Sequence, residues 1–287
     1  MLLFAAYDTL VTSGRDKFSP YIVEIHKLLP YTTYLIDLDG VVYRGEELLP
    51  GAKEFVGWLD ASHKKYLFLT NNSFASEAHV LAKLTRLGIP TDASHILGAG
   101  QAAVKNIAHR FPAAAVYVVG EAPLFDLVEA HKLTVANQSK TRADVVLVGL
   151  DRTFDYKTLT EAVLAVRAGA TFIAINRDPL LPIEGGVIPG CGAMVAAIEA
   201  ASSVKPQVVG KPEPTLLLEA MRLLSSQPDE TVMIGDGLDT DMAGGKAAGT
   251  HTLLVLSGKD SRENLKNSPI KPDHVYENLA AVMDDVK

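Results

Sequence analysis

Short apolar runs rich in β-branched and aromatic residues alternate with helix-length periodic segments along most of this chain, and that rhythm limits the fold more than any other feature. A brief apolar run bounded by turn-forming residues reads as a strand buried on both faces. Strands separated by helices pair in parallel, so the chain is expected to be an α/β protein. The expected strands are Thr33 to Leu38, Lys65 to Thr70, Ala115 to Val119, Asp144 to Val148, Thr171 to Ile175, Gln207 to Val209, Thr231 to Gly235 and His251 to Leu256. Helical patterns fall between them at Ala52 to Leu59, Glu77 to Leu87, Tyr156 to Ala168, Met194 to Ala201 and Pro214 to Leu224. Gly88 stands where a glycine ends a helix, and Pro212 and Pro214 stand where one can begin. The stretch from Leu180 to Gly192, rich in Pro and Gly, is expected to be a loop or hinge.

At 287 residues, 48% of them hydrophobic, the chain can bury a large core and is long for one domain. Two domains, or one with a large insertion, are expected. A net charge of -7 opposes general attraction to nucleic acid or anionic membrane, which require a local excess of Lys and Arg. The single cysteine, Cys191, excludes an internal disulfide and a multi-cysteine zinc site, in keeping with a reducing compartment. The N-terminal run MLLFAA has no basic segment before it and is interrupted at Asp8, so no secretory signal is expected. No stretch reaches the roughly 18 consecutive apolar residues of a spanning helix. A soluble, cytoplasmic protein without nucleic-acid or membrane partners is the expectation.

In open α/β sheets ligands bind at the carboxyl ends of the strands, where loops leave side chains and amides free to converge. Four apolar runs end in residues with chemistry to offer: Asp37 and Asp39, Thr70 and Asn71, Lys211, and Asp236 with Asp239 and Asp241 close behind. Asp37 and Asp39 would share a face of an unbent strand, although a turn at Gly40 could redirect the second. Their plain alternative is a strand followed by an Asp-Gly turn; their functional one is a nucleophile and an acid–base group. Asp236 adds a third carboxylate, and such like charges call for an offsetting cation. Mg2+, which takes oxygen ligands and commonly only one or two carboxylates, suits this better than Ca2+, because Leu238 occupies the third position of a calcium loop counted from Asp236. Asp239 reads as a solvated loop acid. Thr70 and Asn71 could equally cap the next helix, as could Ser73 or Ser76, and a lone Lys is usually a surface charge. The weight lies in the conjunction of donor, cation and carboxylates at the ends of separate strands in one presumed sheet.

These segments, in this order, resemble the motifs of the haloacid dehalogenase superfamily, and among them the NagD-like branch, also called the 4-nitrophenylphosphatase or phosphoglycolate phosphatase group. The resemblance rests on DLDGVVYRGEELLPGA, LTNNS, VGKPEP and GDGLDTDMAGGKAAG, with weaker similarity in VGLDRTFDY and INRDPLLP. It implies a Rossmann-like parallel-sheet core with an inserted smaller α/β cap of the branch's own type. The implied division is an N-terminal extension at 1–32, core at 33–95, cap at 96–186 and core again at 187–287.

The resemblance implies a Mg2+-dependent phosphatase acting on a small phosphorylated metabolite. Asp37 would attack phosphorus, and Asp39 would protonate the leaving oxygen and later activate water. Thr70 and Lys211, with backbone groups at Leu38 and Asn71, would hold the phosphoryl oxygens. The side chains of Asp37 and Asp236 and the carbonyl of Asp39 would bind Mg2+, with Gly40 and Asp241 in support. Asn176, Arg177 and Asp178 become candidate substrate-facing residues of the cap, against the plain reading of a loop stopped by Pro179. The branch also implies a homodimer. One departure is LGAGQAA, Leu97 to Ala103, where the family pattern has a Ser or Thr near the cap entrance.

Rival readings find less support. Cys191 lies between Gly190 and Gly192 with no histidine nearby, as a small buried residue at a helix start would. There is no G-x-S-x-G elbow and no GxxxxGK[ST] loop. A phosphotransferase or mutase would pass the same phosphoaspartate to a hydroxyl, and a non-catalytic phosphometabolite-binding module would have no use for a nucleophile.

Overall fold

The computed structural model describes residues 30–71, 77–137, 141–183 and 186–286. The stretch 1–29 and the cap candidates Ser73 and Ser76 lie outside the described residues.

The chain forms an α/β fold with two parallel sheets, as a parallel-sheet core with a smaller α/β cap requires. Across the first, the strands run His274–Tyr276, His251–Val255, Thr231–Gly235, Thr33–Asp37, Lys65–Thr70 and Ile96–Gly98. Across the second they run Gln207–Val208, Thr171–Ala174, Val145–Val148, Ala115–Val119 and Thr134–Val135. Strand alternation assigns each face its core. Tyr34, Ile36, Phe68, Val232 and Ile234 pack in one cluster with the helices Ala52–Ala61, Glu77–Arg86 and Leu279–Asp284. Leu35, Leu67, Leu69 and Met233 join a different one, shared with Val116, Val118, Leu147 and Ile173 of the second sheet and with the helices Ala99–Arg110 and Thr215–Leu224. The far face of the second sheet, with Tyr117, Val146, Val148 and Phe172, is covered by the helices Tyr156–Arg167 and Cys191–Ser202. Each large apolar side chain buried this way contributes about 1.5–3 kcal/mol. The core shared by the two sheets sets the loops of one against the loops of the other.

Two expectations are corrected. The strand leading to Lys211 does not lie in the sheet of Asp37, because Gln207–Val208 pairs with Thr171–Ala174 at the edge of the second sheet. The Leu180 to Gly192 stretch is an antiparallel hairpin, Leu180–Ile183 with Gly186–Pro189, followed directly by the helix that starts at Cys191. A two-stranded ribbon consists only of edges, where proline is tolerated, so Pro and Gly content was a poor guide there. Ile96–Gly98 pairs in the first sheet, and Cys191–Ser202 packs on the second. Gly98 precedes the helix Ala99–Arg110 without a side-chain cap, at the point where the Ser or Thr is missing. Among the described residues no helix is long and apolar enough to cross a membrane.

Candidate active site

Register brings three of the expected residues together. Ile36 pairs with Ile234 on one side and Phe68 on the other, so Asp37, Thr70 and Asp236 emerge side by side from the carboxyl ends of adjacent strands. Asp241 returns to this edge on a wide helical turn, Leu238–Met242. The Gly237 N–H and the Thr240 hydroxyl donate to its Oδ2 at 3.0 and 3.2 Å. Lys211 arrives from the second sheet and lies between two of the acids, its Nζ 2.8 Å from Asp37 Oδ1 and 2.6 Å from Asp241 Oδ1. Both partners of the shorter pair are buried, with side chains 3% and 1% exposed.

Carboxylate oxygens of Asp37, Asp236 and Asp241 all lie within 4.8 Å of one another. Burial pushes the Asp37 carboxyl well above the usual range; Lys211 opposes the shift, and the charges of Asp241 and Asp236 add to it. Burial and then Asp241 push Asp236 up to about 6. Burial also works against the Lys211 charge, but Asp241 and Asp37 outweigh it and hold the ammonium protonated. Three acids sharing one ammonium are short of positive charge, and an all-oxygen donor set suits a hard divalent cation. The residues present therefore fit such an ion. The expected ligand side chains Asp37 and Asp236 belong to this group together with Asp241, whereas the side chain of Asp39, expected to contribute only its carbonyl, does not.

Asp236 is held by contacts that sequence reading did not pick out. Its Oδ2 accepts the Lys259 N–H at 2.7 Å, and the Asp260 carboxylate accepts the Leu238 N–H at 2.7 Å. A Cβ on Gly258 would lie 1.8 Å from Asp236 Oδ2, and one on Gly40, whose φ is +77°, would lie 2.0 Å from it. Only glycine permits those approaches. The available signal was a fifth strand end, His251 to Leu256, followed by Ser-Gly-Lys-Asp. Asp239 forms an exposed ion pair with Lys259 at 2.5 Å, as befits a loop acid.

The Asp-Gly turn winds around the buried Leu38, whose carbonyl accepts the N–H groups of Val41, Val42 and Tyr43. Asp39 is thereby turned to the exposed mouth of the site. The surrounding protein raises its carboxyl above the usual range, against the pull of Lys83, Lys211 and a hydrogen bond from the Tyr43 hydroxyl. The Lys83 ammonium stands 3.6 Å from the Tyr43 ring centroid.

A cavity of about 770 Å3 opens over these groups. Asp37, Asp39, Thr70, Asn71 and Lys211 line it from below, and Leu150, Asp178, Pro179, Leu180 and Leu181 are contributed by the second sheet and its hairpin. The three expected substrate-facing residues separate here. Asp178 is exposed on the wall, the buried Asn176 also lines the cavity with its amide bonded at both ends within the protein, and Arg177 pairs with Glu199 at 2.6 Å. Cys191 reaches the same cavity but is 2% exposed, and burial pushes its thiol up to about 12. At pH 8 the thiol is therefore protonated and shielded. A disulfide exchange reagent at that pH should leave Cys191 of the folded protein intact and modify it rapidly once the chain is unfolded.

A parallel sheet whose carboxyl edge gathers acids and a buried lysine beneath a second α/β layer is the frame of a hydrolytic enzyme, and known proteins bear this out. A model of haloacid dehalogenase-like hydrolases matches residues 34–134, and a second HAD-hydrolase-like model matches 208–282. The chain is 38% identical over 249 residues to 5'-nucleotidase YutF of Bacillus subtilis, an alignment covering 87% of this chain and 96% of that one. The p-nitrophenyl phosphatase from Archaeoglobus fulgidus superimposes with a TM-score of 0.82 at 33% identity, over 88% of this chain and 98% of that one. NagD from E. coli K-12 does so with a TM-score of 0.81 at 30% identity, over 87% and 97%. The chain belongs to the haloacid dehalogenase-like hydrolases, and within them to the NagD-like branch of phosphatases.

Proposed function

We propose that this protein hydrolyses small phosphate monoesters with the help of Mg2+, through a phosphoaspartate on Asp37. The observation that carries the reading is the Asp37 carboxylate on the cavity floor, 2.8 Å from the Lys211 ammonium and clustered with Asp236 and Asp241. Phosphoryl transfer depends chiefly on alignment and on neutralising charge around phosphorus, and this cluster is suited to both. An Asp37 oxygen forms a bond to phosphorus as the ester P–O bond breaks, and Asp39 gives its proton to the departing oxygen. Water then attacks the phosphorus, Asp39 takes its proton, and the bond to Asp37 breaks to release inorganic phosphate. Lys211, Thr70 and backbone N–H groups at Leu38 and Asn71 hold the phosphoryl oxygens. Asp37 and Asp236, with the Asp39 carbonyl, would hold Mg2+, with Asp241 and Gly40 behind them, and the bound ion would offset charge on the phosphoryl group.

The second sheet with its hairpin serves as the cap, selecting the leaving group and excluding water. Asp178 and the apolar wall of Leu150, Leu180 and Leu181 are the surfaces that group meets. The similar proteins are named for a nucleotide and for a nitrophenyl ester, which supports small phosphate esters as the substrate class.

Purified protein should hydrolyse p-nitrophenyl phosphate with Mg2+, lose the activity to a chelator and regain it with added Mg2+. Mg2+ should also raise its melting temperature, and should fail to do so in Asp236→Asn. A folded, metal-loaded sample inactive on this ester and on a panel of phosphorylated metabolites would overturn the reading in favour of a binding module.

A further inference from the structure

Three hydrogen bonds join the two sheets directly beneath Lys211. The Asn71 side chain, from the first sheet, grips the Lys211 backbone on both sides: its Nδ2 donates to the Lys211 carbonyl at 2.8 Å, and its Oδ1 accepts the Lys211 N–H at 2.8 Å. The Asn71 carbonyl in turn accepts Nδ2 of Asn176 at 2.8 Å. Asn176 is 4% exposed, and its Oδ1 accepts the Asp178 N–H at 3.1 Å.

Asn176 and Lys211 both belong to the second sheet. Asn176 follows the strand Thr171–Ala174, and pairing of the neighbouring strand continues past its end, the Val209 and Gly210 N–H groups donating to the carbonyls of Ala174 and Ile175 at 3.0 and 2.8 Å. A Cβ on Gly210 would lie 2.8 Å from Asn71 Oδ1, so Asn71 has little room to settle elsewhere. Lysine carries its charge on a flexible four-carbon stem, and where the ammonium stands depends on how firmly its backbone is held.

We infer that Asn176 is a positioning residue: by holding the Asn71 backbone against the second sheet, it keeps the Asn71 amide on Lys211 and so sets the Lys211 ammonium on Asp37. The inference rests on Lys211 holding the phosphoryl group, as proposed above. A displacement of about 1 Å in a catalytic constellation costs on the order of 100-fold in rate, and loss of one buried tie should cost part of that. A residue touching the leaving group would alter KM differently for different esters. A residue that acts through Lys211 lowers turnover by one common factor whatever the leaving group.

Asn176→Asp keeps an acceptor for the Asp178 N–H while removing the donor to Asn71, and Asn176→Ser shortens the side chain so that its single hydroxyl no longer spans from the Asp178 N–H to the Asn71 carbonyl. Both should lower kcat about tenfold, by the same factor for p-nitrophenyl phosphate and a nucleoside 5'-monophosphate, with KM changed less than about twofold. In an Asn71→Ala background, Asn176→Ser should cause no further loss, since residues acting through one contact are not additive. Folding of each variant is checked by near-UV circular dichroism, and the two substitutions provide independent routes if one is unstable. Wild-type kcat in the folded variants, a KM change that depends on the ester, or fully additive losses would each overturn the inference. Lys211→Met separates this from the underlying reading. If that variant keeps the wild-type rate, the role of Lys211 fails; if it is inactive while the Asn176 variants are unaffected, only the role of Asn176 fails.

Discussion

Replacing Asp37 by Asn should lower turnover at least about 10,000-fold while leaving the fold in place, because it removes the nucleophile without changing the shape of the side chain. The structural consequence is small because two effects oppose each other. Asn loses the charge that pairs with the Lys211 ammonium at 2.8 Å, but it also ends the repulsion from Asp241 and Asp236 that helps raise the Asp37 carboxyl. Lys211 keeps its second partner, Asp241, at 2.6 Å. The pH dependence follows the same logic. A carboxyl whose folded-state pKa lies above its unfolded value loses stability as pH rises from the ordinary carboxylate range toward the raised one, and Asp37→Asn should lack that contribution. Melting temperature against pH measures it. Acid quenching of the wild type during turnover should trap substrate phosphorus on the chain, released by hydroxylamine, and Asp37→Asn should trap none. A residual rate within about 100-fold of the wild type would exclude covalent catalysis at Asp37.

Asp37 could be found in the sequence because it ends a strand buried on both faces. Such strands appear as uninterrupted apolar runs, and TYLID, KYLFLT and TVMIG each stop where a polar residue begins. Parallel pairing then brings Asp37, Thr70 and Asp236 to one edge without further information. Lys211 was harder to place. Its strand is only Gln207–Val208, too short to show a period, so nothing local revealed that it completes the second sheet. Its tie to Asn71 spans 140 positions and depends on two sheets sharing one core, which a linear pattern does not display. The bonding of Asn176 was hidden for a related reason. Nothing local shows that an Asn after a strand, lining the cavity, also donates to the Asn71 carbonyl across the two sheets. Asp241 was expected only in support, but the wide turn at Leu238–Met242 folds it back until its carboxylate meets both Lys211 and the acidic cluster.

That burial makes Lys211→Met the second substitution with a large expected effect, and one that separates stability from chemistry. Methionine fills much of the volume of the lysine stem but leaves Asp37 and Asp241 without their shared cation. Removing one partner from a buried ion pair costs about 3–5 kcal/mol, because the remaining charges stay desolvated and unpaired. The cost should depend on pH in a defined direction. Lys211 holds the Asp37 carboxyl down against burial, so its loss raises that carboxyl further above its unfolded value. The variant then binds more protons folded than unfolded over a wider range and loses more stability with rising pH than the wild type does. Its melting temperature should lie closest to wild type near pH 5 and farthest below it near pH 8. A divalent cation, which also neutralises the acids, should restore part of that stability. It should not restore turnover, expected to fall about 1,000-fold, because an ion held by the carboxylates leaves the phosphoryl oxygens without the lysine donor. Equal destabilisation at both pH values would show that Lys211 does not control the charge of this cluster, and turnover recovered by metal alone would show that its ammonium is not needed on the phosphoryl group.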